Sequence, residues 1–154
     1  MLRAPTGVDH GLHHCHDVAV QGDGRPLFVN IRFGCLAELS DRFSFVPTWW
    51  PPFQDRRVQG DCCHLNGVAM ADGTPAYVTS VSATNELDSW RFLRTGGGVV
   101  TDVETNEIVC RGLSMPRSPR LHAGESILHD DRSGWRDIET PGRLEKAVRR
   151  GLAP

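Results

Sequence analysis

A motif that returns after fifty residues constrains this chain more than any other feature. Residues 18–30 (VAVQGDGRPLFVN) and 68–79 (VAMADGTPAYVT) match closely once one residue is skipped before Asp72. In each, a short apolar run meets an Asp-Gly pair, Asp23-Gly24 or Asp72-Gly73, and a second apolar run follows. Asp-Gly between alternating apolar runs predicts a β-hairpin, because a type I′ turn needs positive φ at both central residues. A weaker copy at 119–129 (PRLHAGESILH) puts its tip at Ala123-Gly124.

The second half of each unit repeats too. Residues 35–49, 98–112 and 134–148 each run from an apolar strand through a polar turn into another strand. The turns are Ser40-Asp41, Glu104-Thr105-Asn106 and Glu139-Thr140-Pro141-Gly142. Each unit thus holds four antiparallel strands at a period near fifty, the pattern of a propeller blade. A β-sandwich has as many short strands but no reason to repeat at a fixed period. A helical repeat needs apolar spacings of three and four, which residues 113–128 lack. Residues 143–150 (RLEKAVRR) have helical propensity, yet their place in the repeat argues for a strand. The expectation is an all-β chain of about three four-stranded antiparallel blade-like repeats, at approximately 16–61, 62–116 and 117–154. Closed propellers have roughly four to eight blades. Three make an incomplete β-propeller: a fragment, or a chain that self-associates through exposed blade faces.

Composition narrows the partners. The 154 residues are 39% hydrophobic and 23% charged, as in globular domains. Lys plus Arg number 17 against 19 Asp plus Glu, with no basic cluster, which argues against nucleic acid or an anionic membrane as partner. No apolar run approaches the roughly 20 residues that span a bilayer. The N-terminus lacks the basic-then-apolar order of a signal peptide. Five cysteines with no C-x-x-C spacing fit reduced thiols in a cytoplasm.

Three stretches, Trp49-Trp50-Pro51-Pro52-Phe53, Cys63-His64-Leu65-Asn66-Gly67 and the run GLSMPRSPR at 112–120, occur in this order, with His16-Asp17 ahead of them. Together they resemble an uncharacterised bacterial domain family of expected β-propeller fold. It is sometimes described as tetratricopeptide-containing, because such repeats are fused to some members. The resemblance runs from about His16 to Gly124 and fades beyond. It implies members about twice this length, which favours a fragment, and it carries no activity across. Where the family pattern implies a histidine between Met-Pro and Ser-Pro, this chain has Arg117.

Candidate chemistry gathers at the starts of the units. Cys15-His16 precedes Val18 and Cys63-His64 precedes Val68. In a propeller such positions converge at the channel mouth, where His16 and His64 could ligate a divalent transition metal, with Asp17 or Asn66 nearby. Arg117 would enter from the third unit and turn the pocket toward anions. Asn66 competes with His64 as the counterpart of His16, since each stands two residues before its strand. The competing role is structural: the two imidazoles bond neighbouring backbone and hold the unit starts, and it is the preferred one. Likewise the run 49–53 reads first as a rigid crossover and second as a ligand-stacking shelf. Ser114 in GLSMP lacks the second glycine of a nucleophile elbow, and Gly96-Gly97-Gly98 leads into a strand, so it forms no helix-terminal phosphate site. The long connections at 50–61 and 80–97 are the expected walls of a binding site.

The leading functional expectation is a binding module for a small molecule or a protein partner. The alternatives are a metal-dependent enzyme of lactonase or lyase type, and a non-functional truncated product.

Overall fold

The structure, a computed structural model, describes residues 15–55, 59–122, 125–131 and 134–138. They form eleven strands: β1 (Cys15–Val20), β2 (Pro26–Asn30), β3 (Cys35–Glu38), β4 (Val46–Trp49), β5 (Leu65–Ala71), β6 (Thr74–Ser80), β7 (Gly98–Asp102), β8 (Ile108–Leu113), β9 (Arg117–His122), β10 (Glu125–Asp130) and β11 (Gly134–Ile138). Two short 3₁₀ turns, Ile31–Phe33 and Ser89–Phe92, are the only helical elements among the described residues. The chain is all-β, as its Asp-Gly punctuation predicts. No described helix is long and apolar enough to cross a membrane.

Strands pair in chain order. One four-stranded sheet runs β1-β2-β3-β4, a second runs β5-β6-β7-β8, and β9-β10-β11 form a third. Every pairing is antiparallel. The strand expected in residues 143–150 and the tip at Ala123-Gly124 lie outside the described residues.

Two hairpin tips show how turn chemistry sets register. Between β5 and β6, Asp72 (φ 49°) and Gly73 (φ 76°) are both left-handed, as a two-residue I′ turn requires. The first tip differs. Only Gly24 is left-handed (φ 84°), and its N–H donates to the Gln21 carbonyl at 2.9 Å. That is a three-residue loop ending in a bulge glycine. The residue skipped in aligning the two motifs is the extra loop residue.

The two tips also touch. Gly22 donates its N–H to the Gly73 carbonyl at 2.9 Å, and a Cβ on Gly73 would meet Gly22 Cα at 2.5 Å. Gly73→Ala is expected to cost about 2 kcal/mol, from the left-handed φ together with the backbone clash. Denaturant unfolding measures it, and a loss below about 0.5 kcal/mol would mean that the tips are not docked.

Packing explains why strand sequences are apolar on both faces. From β2, Leu27 and Val29 join Leu36, Cys63, Leu65, Val68 and Val78 in a core between the first two sheets. A second core, between the second and third sheets, gathers Ala69, Ala76, Tyr77, Val100, Leu113 and Leu128. The middle sheet is therefore buried on both sides, and its large aliphatic side chains each contribute about 1.5–3 kcal/mol. Phe28, on the other face of β2, packs with Cys35, Ala37 and Phe45, with Phe33 and Trp50 alongside. This aromatic cluster covers the outer face of the first sheet, where the sequence predicts an open apolar surface. Val18 and Val20 of β1 stay 59% and 65% exposed.

Candidate functional site

The seams between sheets are stitched by side chains at matching positions. The His16 ring donates from Nδ1 to the Asn66 carbonyl at 3.2 Å. Fifty residues on, Asn66 Nδ2 donates to the Pro116 carbonyl at 2.8 Å. Asn66 thus holds, in the second sheet, the place of His16 in the first. It is 3% exposed, and its Oδ1 accepts from the Thr79 hydroxyl at 2.8 Å. Asp17 is equally committed. Its carboxylate accepts from Val18 N–H (3.0 Å), Val68 N–H (3.2 Å) and the Arg120 guanidinium (3.1 and 3.3 Å). Both residues join sheets. Arg117 is half exposed and pairs with Asp131 at 3.0 Å, while His129 Nδ1 approaches the same carboxylate at 3.5 Å.

His64 has a different setting. It stands at the entry to β5 with a left-handed φ of 53°. Asp61 holds it there with both oxygens: Oδ1 accepts the His64 backbone N–H at 2.9 Å and Oδ2 accepts Nδ1–H at 2.6 Å. A carbonyl and a carboxylate only accept, so His16 and His64 both carry their proton on Nδ1 and present Nε2 as an acceptor when neutral. The two rings meet edge to face with centroids 5.7 Å apart. His64 also stacks on Trp90 at 4.0 Å, and the Arg91 guanidinium lies 4.5 Å from the Trp90 ring. A left-handed histidine is strained, and strain of this kind concentrates at functional sites.

An open cleft of about 600 Å³ lies beside this pair. Arg32, from the turn between β2 and β3, forms part of its wall, as do Gln59, Asp61 and His64 from the connection between the first two sheets. Asp88, Trp90 and Arg91 come from the connection between β6 and β7, while Ile31 and Leu87 add apolar surface. Asp88 N–H donates to the Asp61 carbonyl at 2.9 Å, which ties the long 81–97 connection to the Asp61 turn. Arg91 is paired with Asp88 at 3.1 Å. Of the five residues expected at a site, His64 lines this cleft; His16, Asp17, Asn66 and Arg117 do not.

Metal ligation finds limited support. Among the described residues no three His, Cys, Asp or Glu side chains are grouped so as to hold a metal ion. His16 and His64 have the fixed Nδ1 partners that metal-binding imidazoles use, but two ligands do not make a site. None of the five cysteines forms a disulfide. Burial pushes the Cys35 thiol up to about 12. Cys63 is raised further, by burial first and then by the nearby Asp61 and Cys62 charges. Neither is a nucleophile. In the 49–53 run, Trp49 and Phe53 pack against the first core and Trp50 against the outer aromatic cluster. Trp49 Nε1 donates to Asn106 at 2.9 Å. The run behaves as a packed crossover.

Sequence reasoning missed Asp61, Arg32, Trp90 and Arg91. Asp61 was open to detection, because an Asp three residues before a His can cap the turn and reach the ring. The others lie about 30 residues to either side of Asp61 and meet it only through sheet stacking.

In the described residues the fold and site are those of an all-β protein, with three antiparallel sheets and a polar, histidine-centred cleft between the connections of the first two. By sequence the chain belongs to the family defined by a domain of unknown function, DUF4915, whose model matches residues 6–142. No curated protein and no solved structure matches it.

Proposed function

We propose that this chain is a small-molecule-binding module built from propeller-type blades, with its ligand seated in the cleft at His64. The observation that carries this reading is the convergence of the Asp61–His64 pair, Trp90 and two arginines on one concavity of about 600 Å³. That volume is typical of small-molecule sites, which combine an apolar wall with a few oriented polar groups. Blade architecture is supported by the fifty-residue repeat and by the equal spacing of the His16 and Asn66 stitches. On this reading the units are 16–61, 62–116 and 117–154, an incomplete ring in which connections on one face carry the ligand. The lack of any disulfide among the five cysteines is in keeping with a reducing bacterial cytoplasm as its home.

A saturation-transfer NMR screen of neutral sugars, nucleosides, amino acids and organic acids tests the proposal. Hits are expected, and their signals should fall at least fivefold in Leu87→Trp, which fills the cleft from an exposed rim position. A screen without hits, or hits untouched by Leu87→Trp, would overturn it.

A further inference from the structure

We infer that the cleft is built for a small hydroxy acid, whose carboxylate sits on Arg32 and whose hydroxyl donates to Nε2 of His64. The inference rests on the cleft being a ligand site, as proposed above, and adds what the ligand must be.

Ion pairing inside the cleft leaves one guanidinium, that of Arg32, without a carboxylate partner among the described residues. Asp61 spends both oxygens on His64. Asp88 is on Arg91. Among the described residues no carboxylate pairs with Arg32, whose guanidinium faces only the neutral Gln59 carboxamide. The arginine is also placed firmly. Asn30 caps its 3₁₀ turn through Phe33 N–H at 3.2 Å, left-handed Gly34 ends the turn, and Gly60 N–H holds the Arg32 carbonyl at 2.6 Å. A planar guanidinium binds carboxylate or phosphate through two parallel bonds. The neighbouring Asp61 and Asp88 select between them, because a dianion would face two carboxylates with a single unpaired cation to meet it. A monoanionic carboxylate fits that charge balance better.

His64 supplies the second contact. Its Nδ1 proton is committed to Asp61, so the neutral ring can only accept at Nε2, and a ligand hydroxyl is the matching donor. Ile31 and Leu87 then face the carbon skeleton. The recognised class is a short acid with a hydroxyl near the carboxylate and an apolar body.

Titrating the full chain with mandelate, phenylacetate, benzyl alcohol and inorganic phosphate, followed by backbone amide NMR, tests each contact separately. Mandelate is expected to shift the Gly60, His64 and Trp90 amides and to bind at least fivefold more tightly than phenylacetate, which lacks the hydroxyl. Arg32→Gln should weaken mandelate tenfold or more and leave benzyl alcohol unchanged. His64→Ala should erase the difference between mandelate and phenylacetate, and preserved amide dispersion identifies the variants that remain folded. If neutral benzyl alcohol shifts the same amides as strongly as mandelate, the cleft reading stands and the acid is wrong. Phosphate binding as tightly as mandelate also overturns the hydroxy acid, in favour of a bare anion. If no probe moves those amides, both readings fall.

Discussion

Asn66→Ala is expected to remove about 3 kcal/mol of stability, although it deletes no apolar side chain. The amide fills a closed polar niche between the second and third sheets. Its loss leaves the fully buried Thr79 hydroxyl without its acceptor and the Pro116 carbonyl without its donor. Each stranded group costs about 1–3 kcal/mol. Packing around the neighbouring Gly67 is equally close, since a Cβ there would meet the Pro119 ring and the Thr79 hydroxyl. His16→Ala is the internal control: it removes the matching stitch at an exposed position and should cost less than about 1 kcal/mol. Urea unfolding of the two variants measures both. Equal losses would show that the two positions are not distinguished by burial.

Raising the pH from 8 to 10 is expected to destabilise the protein by about 3–4 kcal/mol. In the unfolded chain a thiol ionises near about 8.5. Folded, Cys35 keeps its proton until about 12 and Cys63 is raised beyond that. Above the unfolded value, therefore, unfolding releases protons and alkalinity favours it. Stability from these groups is intact below pH 8 and falls steadily as pH rises toward 12, by roughly 2 kcal/mol per thiol at pH 10. Denaturation midpoints at the two pH values measure the loss, and Cys35→Ala should cut the pH dependence by about half. A midpoint that does not move would mean that the thiols are accessible to water in the native state.

Much of the fold was legible because its signals are local. Asp72-Gly73 announces its turn by the backbone freedom of two adjacent residues, and the structure places that turn there. Asp23-Gly24 gave the hairpin and not its form, because choosing between a two-residue and a three-residue loop depends on the register of the flanking strands. The covered outer face of the first sheet was not legible. Phe45 sits in a polar stretch and reaches Phe28 only after β3 and β4 have paired. The site followed the same division. His64 stood out by its place in the repeat, and its ring lies 5.7 Å from that of His16. Arg32 and Trp90, 58 residues apart, become neighbours of one cleft through sheet stacking, which no short-range pattern encodes. Asn66 is a candidate ligand by sequence because it is polar at a unit start, and in the structure its amide is buried and bonded to both Thr79 and Pro116.

The stitches have a direction, and the direction bears on how such a chain can change over evolutionary time. In both seams the earlier sheet supplies the side chain, and a main-chain carbonyl in or just before the first strand of the next sheet receives it. Every amino acid carries that carbonyl, so receiving a stitch places no demand on the side chain: the receiver is asparagine at one seam and proline at the other. The donating position has no such freedom, since only a side chain with an N–H of the right reach can hold the next sheet. A duplicated unit could thus be joined to its predecessor without any matching mutation of its own, and a position such as Asn66 would be held by the stitch it gives and not by the one it receives.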